Sequence, residues 1–135
     1  MRRSVVGRPL WLSTLLIIAT VAAGLTLRLS HVGLPLAVVK YGGSLLWALM
    51  IYWIVSTLRP RWPIPQGALA AGAVATAVEV FKLYHQPWLD AFRLTLPGAL
   101  LLGRVFSVWD LVAYACAITG GAVVDRSIRA NDQRR

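Results

Sequence analysis

Residues 10–27 read LWLSTLLIIATVAAGLTL, and residues 41–58 read YGGSLLWALMIYWIVSTL. Each run holds 18 residues without an Asp, Glu, Lys or Arg. As helix, a run of that length extends about 27 Å, close to the roughly 30 Å of a bilayer's hydrocarbon core. Basic residues bracket both runs: Arg8 and Arg28 the first, Lys40 and Arg59-Pro60-Arg61 the second. Two apolar runs with charged ends define a membrane protein.

The composition agrees. Of 135 residues, 58% are hydrophobic and 14% charged, and the mean hydropathy is +0.66. A typical globular chain has about 45–50% apolar and about 25% charged residues. This balance excludes intrinsic disorder and argues against a soluble enzyme. The single cysteine, Cys116, excludes a disulfide scaffold. The net charge of +9 does not indicate nucleic acid as a partner. The cations flank the apolar runs, where they suit anionic headgroups, instead of forming a stripe on a polar domain. The first run, with its basic start at Arg2 and Arg3, also has features of a signal peptide. Its apolar stretch exceeds the usual 7–15 residues or so, so a retained helix is expected.

Two further spans follow. The third run begins after Pro63 and Pro65, is uncharged to Val78, and then carries Glu79 and Lys82. The fourth holds Asp110 in its first turns and exits at Asp125-Arg126. The chain is therefore expected to be an all-α membrane protein, one integral membrane domain over residues 1–135, with a bundle of about four transmembrane helices. The helices are placed at about 9–28, 38–58, 66–84 and 105–124, with a segment at about 87–103 between the third and fourth. Residues 94–103 are uncharged but too few to cross, so this segment is expected to be re-entrant or interfacial.

Lys and Arg set the orientation. With four crossings, nine basic residues fall on the side of the termini and five on the other. Both termini are expected in the cytoplasm of a bacterial inner membrane, with the 85–104 segment on the outer face.

Ionisable groups within spans cost about 2.5–3.5 kcal/mol each at mid-helix on insertion scales, and they usually face protein or water. On the third helix Ala68, Gly72, Ala75, Thr76 and Glu79 share a face at helical spacing. On the fourth Asp110, Ala113, Tyr114, Ala117, Gly120 and Gly121 do so. Small residues let helices approach closely in lipid, so the two faces are expected to meet. The candidate binding residues are Glu79, Lys82, His85, Asp90, Arg93, Arg104 and Asp110, expected to converge in one polar pocket near the outer headgroups. The same residues read equally well as a structural network: Glu79 and Lys82 as an i,i+3 pair, Asp110 as a helix-start residue, and the arginines as snorkelling cations. No catalytic residue, cofactor motif or metal-ligand spacing stands out.

The run Glu79-Val80-Phe81-Lys82-Leu83-Tyr84-His85-Gln86-Pro87-Trp88-Leu89-Asp90-Ala91-Phe92-Arg93 resembles the signature of the DUF2809 family of small bacterial membrane proteins. The likeness continues through Thr95, Gly98, Leu102-Gly103-Arg104, Phe106, Asp110-Leu111, Ala113-Tyr114 and Asp125. Upstream, Lys40-Tyr41-Gly42-Gly43-Ser44-Leu45-Leu46-Trp47-Ala48 looks like that family's second-helix motif. A wider similarity is to VanZ-like proteins, in which Glu79, Arg93 and Asp110 have counterparts and Tyr114 stands where asparagine is common. That likeness implies the cell envelope, through glycopeptide resistance, without implying a reaction.

The expected function is binding of a membrane lipid, an envelope glycolipid or a lipid-linked ligand in the outer pocket, with Arg93 and Arg104 on an anionic headgroup. A small oligomeric transporter or proton-coupled subunit is the alternative, since carboxylates within spans suit a relay. A membrane enzyme on a lipid-linked substrate is the third reading.

Overall fold

The computed structural model describes residues 7–30, 33–103 and 105–135, apart from the side chain of Leu100. These residues form α1 (Leu10–Leu29), α2 (Leu36–Leu58), α3 (Ile64–Phe81), α4 (Pro87–Arg93), α5 (Leu96–Leu101) and α6 (Val108–Asp132). Among the described residues there is no strand. Proline sets most of the helix starts. Pro9, Pro35 and Pro63 occupy the N-cap positions of α1, α2 and α3, while Pro87 and Pro97 sit in the first turns of α4 and α5. A fixed φ and a missing N–H are harmless there, because the first N–H groups of a helix have no partner within it.

The helices α1, α2, α3 and α6 are each long and apolar enough to cross a membrane, and the chain is a multi-pass membrane protein. Large apolar side chains cover the outside, among them Leu10, Trp11, Leu69 and Trp109. The central helix is α2, which packs against α1, α3 and α6, while α3 and α6 also pack on each other. Among the described helices α1 rests on α2 alone. The interior is built from Ala48, Tyr52 and Trp53 of α2, Ala71 and Ala75 of α3, and Tyr114 and Ile118 of α6. Small residues set the spacing: a Cβ at Gly121 would lie 2.7 Å from Leu49 Cδ1, and one at Gly42 would lie 2.8 Å from Leu27 Cδ2.

The helix bounds differ from the sequence expectation in two informative places. The third span ends at Phe81 instead of about residue 84, and α6 runs from Val108 to Asp132 instead of stopping near residue 124. Beyond residue 124 no glycine or proline interrupts the helix, and its inward Asp125 and Arg129 are paired. The inward face of α3 is also turned. Gly67, Ala71, Ala75 and Glu79 are buried, whereas Thr76 is exposed. A strict i,i+4 ridge makes the contact in place of the mixed three-and-four stripe. On α6 Ile118 is buried and Gly120 is exposed. The 87–103 segment consists of two short helices packed on each other, seven and six residues long.

Candidate functional site

Where α3 ends and α6 begins, three charged side chains meet out of water. Glu79 is fully buried, Asp110 is 3% exposed and Lys82 is 8% exposed. The Lys82 ammonium lies 2.6 Å from Glu79 Oε2 and 3.7 Å from Asp110 Oδ2, so one cation bridges two carboxylates. Glu79 is the better served of the two. Its Oε1 accepts the Ser107 main-chain N–H at 2.8 Å, and its Oε2 accepts the Tyr114 hydroxyl at 2.7 Å. Ser107 is the N-cap residue of α6, so a carboxylate from α3 satisfies a helix-end donor that lipid could not. Asp110 sits in the first turn of α6, where the helix dipole favours an anion. The Ser44 hydroxyl lies 2.9 Å from its Oδ1. The network therefore ties α2, α3 and α6 together at one end of the bundle.

Arg93 completes the matching helix end. Its Nη2 donates to the Phe81 carbonyl at 2.8 Å and its Nη1 to the Tyr84 carbonyl at 2.8 Å, the last carbonyls of α3 and its exit turn. Asp90 Oδ1 lies 3.2 Å from the same Nη1 and 3.2 Å from His85 Nδ1. The seven candidates thus separate into groups. Glu79, Lys82 and Asp110 form the buried cluster, and Arg93, Asp90 and His85 form a cap over the exit of α3. Arg104 lies outside the described residues. Among the described residues no group of His, Cys, Asp and Glu is close enough to hold a metal ion.

Beside the cluster lies a cavity of about 370 Å3. Val21 and Leu25 of α1, Leu46 and Met50 of α2, and Leu96 and Leu101 of α5 give it apolar walls. Its polar side chains include Thr20, Arg28, Ser44, Lys82 and Tyr114. Helical spacing brought Glu79 and Asp110 together correctly, but Ser44 and Arg28 were outside the expected set. An i,i+4 row on α2 running Ser44, Ala48, Tyr52, Ser56 would have shown Ser44.

A second buried network was missed altogether. At the end of the bundle where α1 begins and α6 ends, Asp125 is fully buried. Arg8 Nη1 lies 2.6 Å from its Oδ1, Arg129 Nε 3.1 Å from the same oxygen, and the Tyr52 hydroxyl donates to Oδ2 at 2.7 Å. Arg8 also reaches Ser13 and Ser56 and lies 4.8 Å from the Trp53 ring centre. Carrying the α6 period beyond residue 124, through Asp110, Tyr114, Ile118, Gly121, Asp125 and Arg129, would have exposed it.

An all-helical, multi-pass bundle held by buried polar clusters at both ends is the class of protein this structure defines. The particular family follows from the sequence: the family model described as "Protein of unknown function (DUF2809)" matches residues 34–118, and the chain belongs to that family. The matched span runs from the start of α2 into α6 and takes in Lys82, Glu79, Asp110 and Arg93. No solved structure matches this chain.

Proposed function

We propose that this protein binds an amphiphilic component of the bacterial inner membrane or cell envelope, a lipid, glycolipid or lipid-linked molecule. Its chain would lie along the apolar walls of the α1–α2–α5 cavity, and its head against Ser44, Lys82 and Arg28. The observation that carries this reading is the cavity, about 370 Å3, with apolar walls and its few polar groups beside the buried charge cluster. Ligand sites of roughly 300–1,000 Å3 have this composition, largely apolar with a few placed polar groups. The headgroup role expected for Arg93 passes to cations that line the cavity, because its guanidinium is engaged with the Phe81 and Tyr84 carbonyls; Arg104, expected to share that role, lies outside the described residues.

The Lys and Arg distribution supports cytoplasmic termini. The cavity then opens toward the outer leaflet, which is where an envelope ligand, or one of the kind the VanZ-like resemblance implies, would be met. The test is native mass spectrometry and lipidomics of the full chain extracted in mild detergent. A defined amphiphile should accompany the wild type and be lost from Gly24→Leu, whose side chain would enter the cavity. Absence of any bound amphiphile from the wild type, in detergent and in nanodiscs of its own membrane, would sink the reading.

A further inference from the structure

Two cations among the described residues line the cavity, and they are not equivalent. Lys82 is already compensated by Glu79 and Asp110. Arg28 has no carboxylate within 4 Å, and no acidic residue lies outside the described part of the chain. Its one hydrogen-bonding contact among the described residues runs from Nη1 to the Ala99 carbonyl at 3.5 Å, the far limit for such a bond. A guanidinium carries five donors in a planar fork suited to phosphate or carboxylate oxygens. Arg28 is exposed, and among the described residues that fork is almost unspent.

The backbone around Arg28 favours its placement at the cavity. Arg28 lies in the last turn of α1 and reaches toward Ala99 of α5, although these two helices do not otherwise pack on each other. Beneath it α2 presents Gly42-Gly43. A Cβ at Gly42 would lie 2.8 Å from Leu27 Cδ2, so this glycine makes room for the Leu27 side chain of α1. A Cβ at Gly43 would stand 3.8 Å from Arg28 Nε, in ordinary contact, so the guanidinium lies directly over this part of α2. One glycine receives Leu27, and the next lies beside the arginine that follows it.

We infer that Arg28 is the head-group receptor of this cavity, and that the occupant is an anionic amphiphile whose phosphate or carboxylate takes the guanidinium fork while its chain lies between α1, α2 and α5. The inference rests on the amphiphile reading above and adds the charge of the ligand and the residue that selects it. Snorkelling of Arg28 to bulk headgroups is the competing account. It predicts no defined stoichiometry and no dependence on the cavity.

The test uses the full chain and three amphiphiles of one chain length: dodecyl phosphate, dodecylphosphocholine and dodecyl maltoside, with inorganic phosphate as the headgroup alone. Binding is read by native mass spectrometry and by thermal shift. The expected result is one retained dodecyl phosphate, bound about tenfold or more tightly than the other two, as a charge-assisted hydrogen bond of ~1.5–3 kcal/mol would give. Arg28→Gln should abolish the preference, Arg28→Lys should keep part of it, and Gly24→Leu should lose all three ligands. Equal affinity for the three heads in the wild type overturns the inference, as does a preference that survives Arg28→Gln or equally tight binding of inorganic phosphate alone. Equal affinity with loss in Gly24→Leu leaves the amphiphile reading standing, whereas no binding of any amphiphile removes both. Should Arg28→Gln fail to fold, the wild-type comparison of heads and the Arg28→Lys result still decide the matter.

Discussion

Tyr52 donates its hydroxyl to Asp125 Oδ2 over 2.7 Å, joining α2 to α6 beside the start of α1. The opposite end of the bundle repeats the arrangement, with the Tyr114 hydroxyl on Glu79 Oε2 at 2.7 Å joining α6 to α3. In each case the buried acid also holds a cation, Arg8 and Arg129 in the first and Lys82 in the second. Lipid chains are as apolar as leucine, so burial of apolar surface gives membrane helices little reason to choose one register. A tyrosine on a buried acid, fixed at each end, supplies that choice.

The Asp125 cluster should be the more costly to break. Asp125→Asn leaves two largely buried guanidiniums without their anion, and a loss of about 3–5 kcal/mol is expected from removing one side of such a group. Tyr52→Phe removes one hydrogen bond and should cost about 1 kcal/mol. Unfolding in mixed detergent micelles measures both, and similar losses for the two variants would contradict the assignment of Asp125 as the hub.

Lys82 should couple unequally to its two acids. It lies 2.6 Å from Glu79 and 3.7 Å from Asp110. Double-mutant cycles with Lys82→Met, Glu79→Gln and Asp110→Asn should give a larger interaction energy for the Glu79 pair, within the usual ~0.5–3 kcal/mol for neighbouring groups. The reverse order would mean that Lys82 serves Asp110 first.

Arg93 is expected to act on stability and not on ligand affinity. Lysine is a point charge and cannot span the Phe81 and Tyr84 carbonyls as the guanidinium does. Arg93→Lys should lower stability by about 1–3 kcal/mol, in the range for charge-assisted hydrogen bonds. The amphiphile affinity of the folded protein should stay at the wild-type value, and a selective loss of affinity would return Arg93 to the binding site.

Glycines in α3 and α6 should behave oppositely. At Gly121 a Cβ would press on Leu49 and Tyr52, at 2.7 and 3.1 Å, and Gly121→Leu should cost about 1–3 kcal/mol through overpacking. At Gly72 nothing lies within 4 Å, and Gly72→Ala should be neutral or stabilising by up to about 1 kcal/mol. The same unfolding assay compares them.

How much of this was legible depended on the range over which each residue finds its partner. Hydropathy and length located the four spans, because crossing lipid requires each helix to satisfy its own backbone. Pro63 marked the start of the third span for a reason equally local. The meeting of Glu79 and Asp110 was legible too, since helical period and depth placed both at the junction of the third and fourth spans. The fate of Arg93 was not legible. Nothing in Leu89-Asp90-Ala91-Phe92-Arg93 says that its guanidinium turns back to the carbonyls of Phe81 and Tyr84.

Asp125 shows the same division. In sequence it stood among terminal charges and read as a cytoplasmic flank, yet Arg8, far away in the chain, makes it a buried hub. The sequence by itself determined that this chain is a helical membrane protein of the DUF2809 family, and roughly where its four spans lie. The tertiary structure alone decided which charges are consumed by one another and by helix ends, and that among the described residues Arg28 stands beside a cavity without a carboxylate. Helix formation is settled within a few residues by the backbone's need for hydrogen bonds. Charge compensation is settled by distances of a few ångströms between residues that the chain order keeps far apart.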